Sequence, residues 1–297
     1  MTKMSGRPLV FGEVLYDRFP DGSSVLGGAP FNVAWHLQAL GKRPLFVSRV
    51  GHDEAGRSIL ARMEGWGMDT DGLQTDVARP TGSVDVRFVN GDPRFDIVAN
   101  AAYDYIDDVG DKLPENTCLI YHGTLAMRSE TTRNNFSQLL DRCKAPIFLD
   151  VNLRAPWWTI AEAERMIGQA TWVKLNDEEL DHVAKGPEDQ KTRVHKLIVK
   201  HDLEFVVLTR GAKGAVAVSK SGQTFEVFPD AKADVVDTVG AGDAFASIIV
   251  LGLMEGWSLS IALQRAQDLA GRVVGQRGAT PSDAGFYNPI RNTWDKT

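Results

Sequence analysis

Cysteine is nearly absent: Cys118 and Cys143 are the only two in 297 residues. That excludes a disulfide framework and a cysteine-built metal cluster, and their strand-like or strand-flanking surroundings predict buried free thiols. The six histidines are scattered, with neither His-Glu-x-x-His nor paired spacing, so zinc chemistry is disfavoured. No apolar run is long enough to cross a bilayer and no signal-peptide pattern opens the chain, so a cytoplasmic protein without a membrane partner is expected. Basic charge is in deficit as well. Thirty-three Lys and Arg stand against 39 Asp and Glu, a net charge of −6, which argues against nucleic acid as a partner. Three nucleotide fingerprints are also missing. Without Gly-x-x-x-x-Gly-Lys-Ser/Thr there is no P-loop, and without His-Arg-Asp and Asp-Phe-Gly there is no protein kinase. The lack of Gly-x-Gly-x-x-Gly after the first strand disfavours a dinucleotide site.

What is present is ample core material and an alternating pattern. Hydrophobic residues make up 43% and charged residues 24%, the balance of a globular protein with a sizeable core. Pro8 to Gly12 reads as a buried strand, and Asp17 to Ser24 as a turn-rich segment. Val33, Leu37 and Leu40 then recur at helical spacing until Gly41 closes the helix. Strand and helix continue to alternate (45–50, 54–63, 118–121, 130–141, 146–151, 161–167, 172–175, 205–209), which predicts a parallel sheet covered by helices. Two stretches break the rhythm. Residues 81–99 read as a hairpin turning at Asn90-Gly91-Asp92-Pro93, and 215–218 with 224–228 as a second hairpin. A hairpin inserted in an α/β chain suggests a small lid. With no repeat, low-complexity tract or linker visible, the whole of 1–297 is expected to be one domain, its lid formed by about 13–26 and 81–100.

The stretch with the most chemistry in it is Asp237-Thr238-Val239-Gly240-Ala241-Gly242-Asp243-Ala244-Phe245. An apolar helix follows, so Gly240, Ala241 and Gly242 lie at its mouth, where unpartnered backbone N–H groups form an anion site. A phosphoryl group gaining charge during transfer would be held there. Asp243, in the first turn, is placed to accept a proton from an attacking hydroxyl. An ordinary glycine-rich helix start, with an aspartate favoured by the positive helix end, remains the plainer alternative.

Four further segments fall at predicted strand ends, where open α/β sheets bind ligands. The first joins Asp17 to Gly27, Gly28 and Asn32; glycines admit a polar ligand to the main chain, and the carboxylate and amide suit vicinal hydroxyls. The second is Asp150-Val151-Asn152-Leu153-Arg154, whose guanidinium suits phosphate, although Arg154 paired with Asp150 is as good a reading. The third, Asn176-Asp177-Glu178-Glu179, is read alone as a charged helix cap. The fourth, Thr209-Arg210-Gly211-Ala212-Lys213-Gly214, is either a phosphate loop or a tight turn into the second hairpin.

Taken together, and in order from Val10 to Ser282, these segments resemble the ribokinase-like (PfkB) carbohydrate kinase family. Gly27-Gly28-Ala29-Pro30-Phe31-Asn32 and Asp237 to Asp243 are its two specific signatures. The resemblance implies a three-layer α/β/α fold with a mostly parallel central sheet and a small β-sheet lid. It implies catalysis by Asp243 with the Gly240-Ala241-Gly242 anion hole, and a sugar held by Asp17, Gly27, Gly28, Asn32, Asn152 and Arg154. It implies ATP at Asn176, Glu179, Thr209, Gly211 and Gly214, with magnesium reached from Glu179 through water. Gly278 to Ser282, with Asp237 and Val239, resembles the loop that holds a monovalent cation, potassium, in many relatives. Departures are Val151 for proline, Phe31 for a small residue and Val239 for threonine.

Gly12 to Pro20, and Asn152-Leu153-Arg154 followed by Trp157-Trp158, look most like fructokinases. The expectation is therefore an ATP-dependent kinase acting on a primary hydroxyl of fructose. Ribose, 2-keto-3-deoxygluconate or a nucleoside remain as other acceptors, and a catalytically silent sugar- or nucleotide-binding module as the non-enzyme reading. An exposed lid sheet is compatible with a homodimer.

Overall fold

Strand β1 (Arg7–Phe11) is buried on both sides, Leu9 and Phe11 in one apolar cluster and Val10 in another. That is the environment of a central parallel strand, which helices must cover on both faces. The computed structural model, which describes residues 1–89, 92–230 and 235–294, has this arrangement throughout. After β1 come β2 (Leu15–Arg18), β3 (Ser24–Gly27), α1 (Ala29–Ala39), β4 (Leu45–Gly51), α2 (Glu54–Gly65) and β5 (Leu73–Asp76). Next are β6 (Gly82–Val89), β7 (Asp92–Ile97), β8 (Thr117–His122), α3 (Glu130–Arg142), β9 (Ile147–Asp150) and α4 (Ile160–Gln169). The chain continues with β10 (Trp172–Asn176), α5 (Asp177–Val183), α6 (Gln190–His201), β11 (Phe205–Thr209), β12 (Ala215–Ser219) and β13 (Thr224–Val227). It ends with α7 (Ala241–Glu255), α8 (Leu259–Val274) and α9 (Asn288–Trp294).

The nine-stranded sheet runs β13-β12-β11-β10-β9-β8-β1-β4-β5. It is parallel from β11 to β5 and antiparallel only where β12 and β13 close one edge. From β1 the chain first winds outward through β4 and β5, then returns to β8 on the other side and winds away through β11. The reversal between β1 and β8 opens a crevice at the carboxyl ends of the strands, the usual ligand position in such sheets. The expected α/β architecture is the one observed.

A second sheet, β3-β2-β6-β7, carries the expected hairpin and extends it. The strands β6 and β7 stay paired out to Val89 and Asp92. Asp92 and Pro93 therefore belong to a strand rather than to the predicted turn, while Asn90 and Gly91 lie outside the described residues. The turn-rich reading of Asp17 to Ser24 also needs correction. Asp17 and Arg18 continue β2 and Ser24 begins β3, so the turn is confined to the residues between them, with Gly22 N–H bonded to Phe19 O. Of the two cysteines, both free, Cys118 is buried as expected but Cys143 is only half-buried.

Helix α7 positions the chemistry. Its residues Ala244 to Met254 are all buried, and it packs between α1 and α8. A helix apolar on every side has to sit inside the protein. Each of its Ile and Leu side chains contributes about 1.5–3 kcal/mol by leaving water. The first turn of this fixed rod is the part that reaches the crevice.

Candidate active site

A cleft of about 420 Å³ opens at the carboxyl ends of β1, β9, β10 and β11. Asp17, Gly27, Gly28, Asn32, Asn152, Arg154, Asn176, Glu179, Thr209, Gly240, Gly242 and Asp243 all line it. The small sheet supplies the facing wall through Leu15, Val84, Phe95 and Ile97.

Gly240 is the N-cap of α7, with φ 79°, and no side chain caps the helix. A Cβ there would stand 2.2 Å from the Ala279 Cβ, so both the conformation and the contact require glycine. Ala241 N–H bonds to Thr238 O at 3.3 Å, while the next N–H groups of the turn, those of Gly242 and Asp243, have no partners within the helix and remain available to an anion. Ala241, the first helical residue, does not line the cleft. The Asp243 carboxylate accepts a hydrogen bond at Oδ2 from Asn32 Nδ2, 2.7 Å away. Burial pushes its carboxyl above the usual aspartate range; the Asn32 bond opposes the rise and the nearby Asp150 charge adds to it. A carboxyl adjusted in this direction is a better proton acceptor than a free one.

Beneath Asp243 lies a buried ion pair. Lys174 Nζ donates to Asp150 Oδ1 at 2.8 Å and to Oδ2 at 2.9 Å, and Tyr121 Oη donates to Asp150 Oδ2 at 3.2 Å. The reading of Arg154 as the partner of Asp150 is thus overturned, since Lys174 occupies that carboxylate. Arg154 is exposed at the cleft and makes no ion pair among the described residues. Burial would lower the Lys174 pKa, but Asp150 and Glu179 outweigh it and hold the ammonium charged.

The residues expected to hold a sugar come together along the cleft. Asn32 is buried in α1 and its Oδ1 has no hydrogen-bond partner. Asp17 is half-buried on β2; burial pushes its carboxyl up to about 6, against the pull of Arg154. Asn152 reaches the cleft from a backbone with φ 30°, in the left-handed region that asparagine tolerates.

On the nucleotide side the picture divides. Asn176 and Glu179 form a reciprocal capping box: Asn176 Oδ1 accepts from Glu179 N and Glu179 Oε2 accepts from Asn176 N, each at 2.8 Å. Glu179 Oε1 also accepts from Leu153 N at 2.9 Å. The cap reading therefore holds, and both residues still face the cleft. Thr209 lines it too, but Gly211 and Gly214 do not. At Gly214 a Cβ would meet Val227 O at 2.0 Å with φ at 80°, so the tight turn against β13 accounts for that glycine.

Asp237 ties its own loop to the C-terminal segment. Its Oδ1 accepts from Val239 N at 3.0 Å and its Oδ2 from Gly278 N at 3.1 Å. Ser282 is exposed, and among the described residues no hydrogen bond joins it to that cluster.

A divalent ion fits this site only in hydrated form. Among the described residues no group of three or more His, Cys, Asp or Glu is arranged to hold a metal. Glu179 has each carboxylate oxygen engaged by one backbone N–H and keeps further lone pairs. That is sufficient for magnesium, which retains most of its waters and is bound mainly through phosphates.

Sequence reasoning passed over Glu13, Lys174 and the apolar lid residues Val84, Phe95 and Ile97. The signal for the first two was a charged residue inside or directly after a strongly apolar strand, a placement that requires a partner or a function.

Residues 9–284 match the pfkB family carbohydrate kinases. A probable chloroplastic fructokinase-6 of Arabidopsis thaliana is 28% identical over 313 residues, covering 95% of this chain and 80% of the relative. A 5-dehydro-2-deoxygluconokinase of Geobacillus thermodenitrificans is 27% identical over 271 residues, covering 84% and 78%. Among solved structures, a fructokinase of Vibrio cholerae with fructose, ADP and calcium bound superimposes with a TM-score of 0.80. The identity there is 25%, over 95% of this chain and 98% of the other.

Proposed function

The chain belongs to the pfkB family of carbohydrate kinases and is a phosphotransferase acting on a sugar hydroxyl; on that premise we propose that it moves the γ-phosphoryl group of ATP to a primary hydroxyl of fructose. The observation that carries the reading is Asp243, at the positive end of α7, sharing one cleft with Asp17, Asn32 and Asn152.

Asp243 accepts the proton of the attacking hydroxyl. Asn32 holds its carboxylate in one orientation, which leaves Oδ1 free to face the acceptor. The N–H groups of Gly242 and Asp243 receive charge as it grows on the transferring phosphoryl, in a setting that needs no reorganisation. Asp17, Asn32 and Asn152 hold the hydroxyls that do not react, and Arg154 meets phosphate oxygens. Asn176, Glu179 and Thr209 border the nucleotide side, and Glu179 would hold hydrated magnesium through water, an ion that would supply neutralisation of phosphate charge. The small sheet, with residues 13–26 and 81–100 as its frame, closes Leu15, Val84, Phe95 and Ile97 over the sugar. That excludes water and limits hydrolysis of ATP. The Asp237, Val239 and Gly278 cluster would hold a monovalent cation such as potassium, whose charge would steady the loop that enters α7.

Fructose is favoured because the fructokinases among the relatives are matched over nearly the whole chain. The experiment is ADP release with magnesium over fructose, ribose, a nucleoside and two sugar acids, with potassium or a large organic cation. Fructose should give the highest kcat/KM and potassium should raise turnover. A sugar acid in first place would replace the substrate assignment, and equal rates in both salts would remove the cation.

A further inference from the structure

Of the acidic side chains at the cleft the mechanism leaves two unused, Asp150, which Lys174 holds, and Glu13. Glu13 directly follows the glycine after β1, is only 2% exposed, and lines the same cavity as Asp17 and Asp243. Its Oε2 is buried without any hydrogen-bond partner among the described residues. No ion pair within 4.0 Å reaches it, although Arg154 and Arg128 are near enough to act on its charge. Arg128 is held on Asp104, Nε donating to Oδ1 at 2.7 Å and Nη2 to Oδ2 at 2.9 Å, and the group stacks on Tyr103 and Trp157, while its Nη1 is left without a partner.

A buried carboxyl oxygen with no donor is costly, and the cost falls away only when something supplies the donor. Burial pushes the Glu13 carboxyl up to about 7; its own backbone and the Ala126 N–H resist the rise, and the Asp243 charge adds to it. Among the described residues no cation lies within ion-pair distance of it, and Arg128, whose Nη1 is also unpartnered, acts on it only from farther off. What the site lacks is therefore a neutral hydrogen-bond donor arriving from the cavity, and an acceptor hydroxyl is such a donor.

We propose that Glu13 is a further acceptor-binding residue, which takes a second hydroxyl of the sugar on its unpaired oxygen and disfavours acceptors that carry a carboxylate at that position. This rests on the sugar-kinase reading of the cleft and deepens it, naming neutral polyhydroxy compounds as the substrate class. The exclusion follows from charge. A carboxylate brought beside Glu13 and Asp243 would be a third negative group, and among the described residues Arg154 at the mouth is the only arginine or lysine lining the cleft besides Lys174, which Asp150 already occupies.

The test uses Glu13→Gln and Glu13→Ala in the full chain, with whichever neutral sugar the wild-type enzyme turns over fastest. A wrong assignment of fructose is thus exposed by the wild-type panel and leaves the Glu13 comparison intact. Both variants should raise KM for the sugar at least about tenfold, the loss expected for a hydrogen bond to a charged group, while KM for ATP stays within about twofold. In Glu13→Gln the preference for the neutral sugar over a matched sugar acid should narrow about tenfold. A merely structural role would change kcat and both KM values together. The proposal is overturned if folded variants keep the wild-type sugar KM, or if the neutral-to-acid preference is unchanged in Glu13→Gln.

Discussion

Asn32 and Asp243, 211 positions apart in the sequence, meet through a 2.7 Å hydrogen bond from the Asn32 amide to the Asp243 carboxylate. The bond links α1 to the first turn of α7 and fixes which carboxylate oxygen faces the cleft. Replacing Asn32 by Ala should lower kcat about tenfold or more by releasing that orientation. Asn32→Asp should do more. A second carboxylate beside Asp243 raises its pKa further, and a base must be ionised to act, so the acid limb of the kcat/KM–pH profile moves to higher pH. A profile superimposable on wild type would show that Asn32 does not govern the base.

Gly240 is held by geometry that no other residue can adopt freely. With φ at 79° and a would-be Cβ 2.2 Å from that of Ala279, Gly240→Ala should cost about 1–3 kcal/mol and displace the phosphate-facing turn. Gly242→Ala is the control, since its Cβ would find Lys174 Nζ at an ordinary 3.6 Å. Thermal melts of both, with turnover, should rank Gly240→Ala as the more damaging. Adding Ala279→Gly should recover part of its stability but not the strain of the positive φ.

Lys174→Met strands Asp150, which is 1% exposed, as an unpaired buried charge. Removing one member of such a pair costs about 3–5 kcal/mol. The double variant Asp150→Asn with Lys174→Met should recover much of it in chemical denaturation. Strict additivity of the single losses would mean that the pair is not coupled.

This pair also marks the limit of what could be read from the chain. Asp150 and Lys174 are direct neighbours in the β9–β10 register, and a register is a property of two strands that neither strand states alone. Asp243 and Asn32 were legible because each lies in a contiguous motif whose residue types already specify a turn into a helix. Asp17 was assigned its role although β2 was missed; Leu15-Tyr16-Asp17-Arg18 is too short and too polar to show a period of two. Gly214 was the opposite case. Its glycine is demanded by the backbone of β13, and a sequence cannot separate a glycine kept for a turn from one kept for phosphate.

The Glu13 carboxyl gives a stability signature with a fixed sign. Its folded pKa of about 7 lies above the ordinary 4.5, so the folded protein holds the proton more tightly. Stability is full below pH 4.5 and is lost as pH rises towards 7, by about 3 kcal/mol once the group is ionised. Glu13→Gln cannot ionise. Its melting temperature should exceed that of wild type at pH 8 and approach it at pH 4.5, in melts run without substrate. A constant difference across that range would show that Glu13 carries no such shift.

The central claim is that Asp243 is the base for phosphoryl transfer. Its most direct test is single-turnover formation of sugar phosphate from γ-labelled ATP, magnesium and sugar, comparing wild type with Asp243→Asn at equal saturation. The account predicts that transfer slows at least about a hundredfold while ATP binding holds within a few-fold. Transfer at close to the wild-type rate would contradict it.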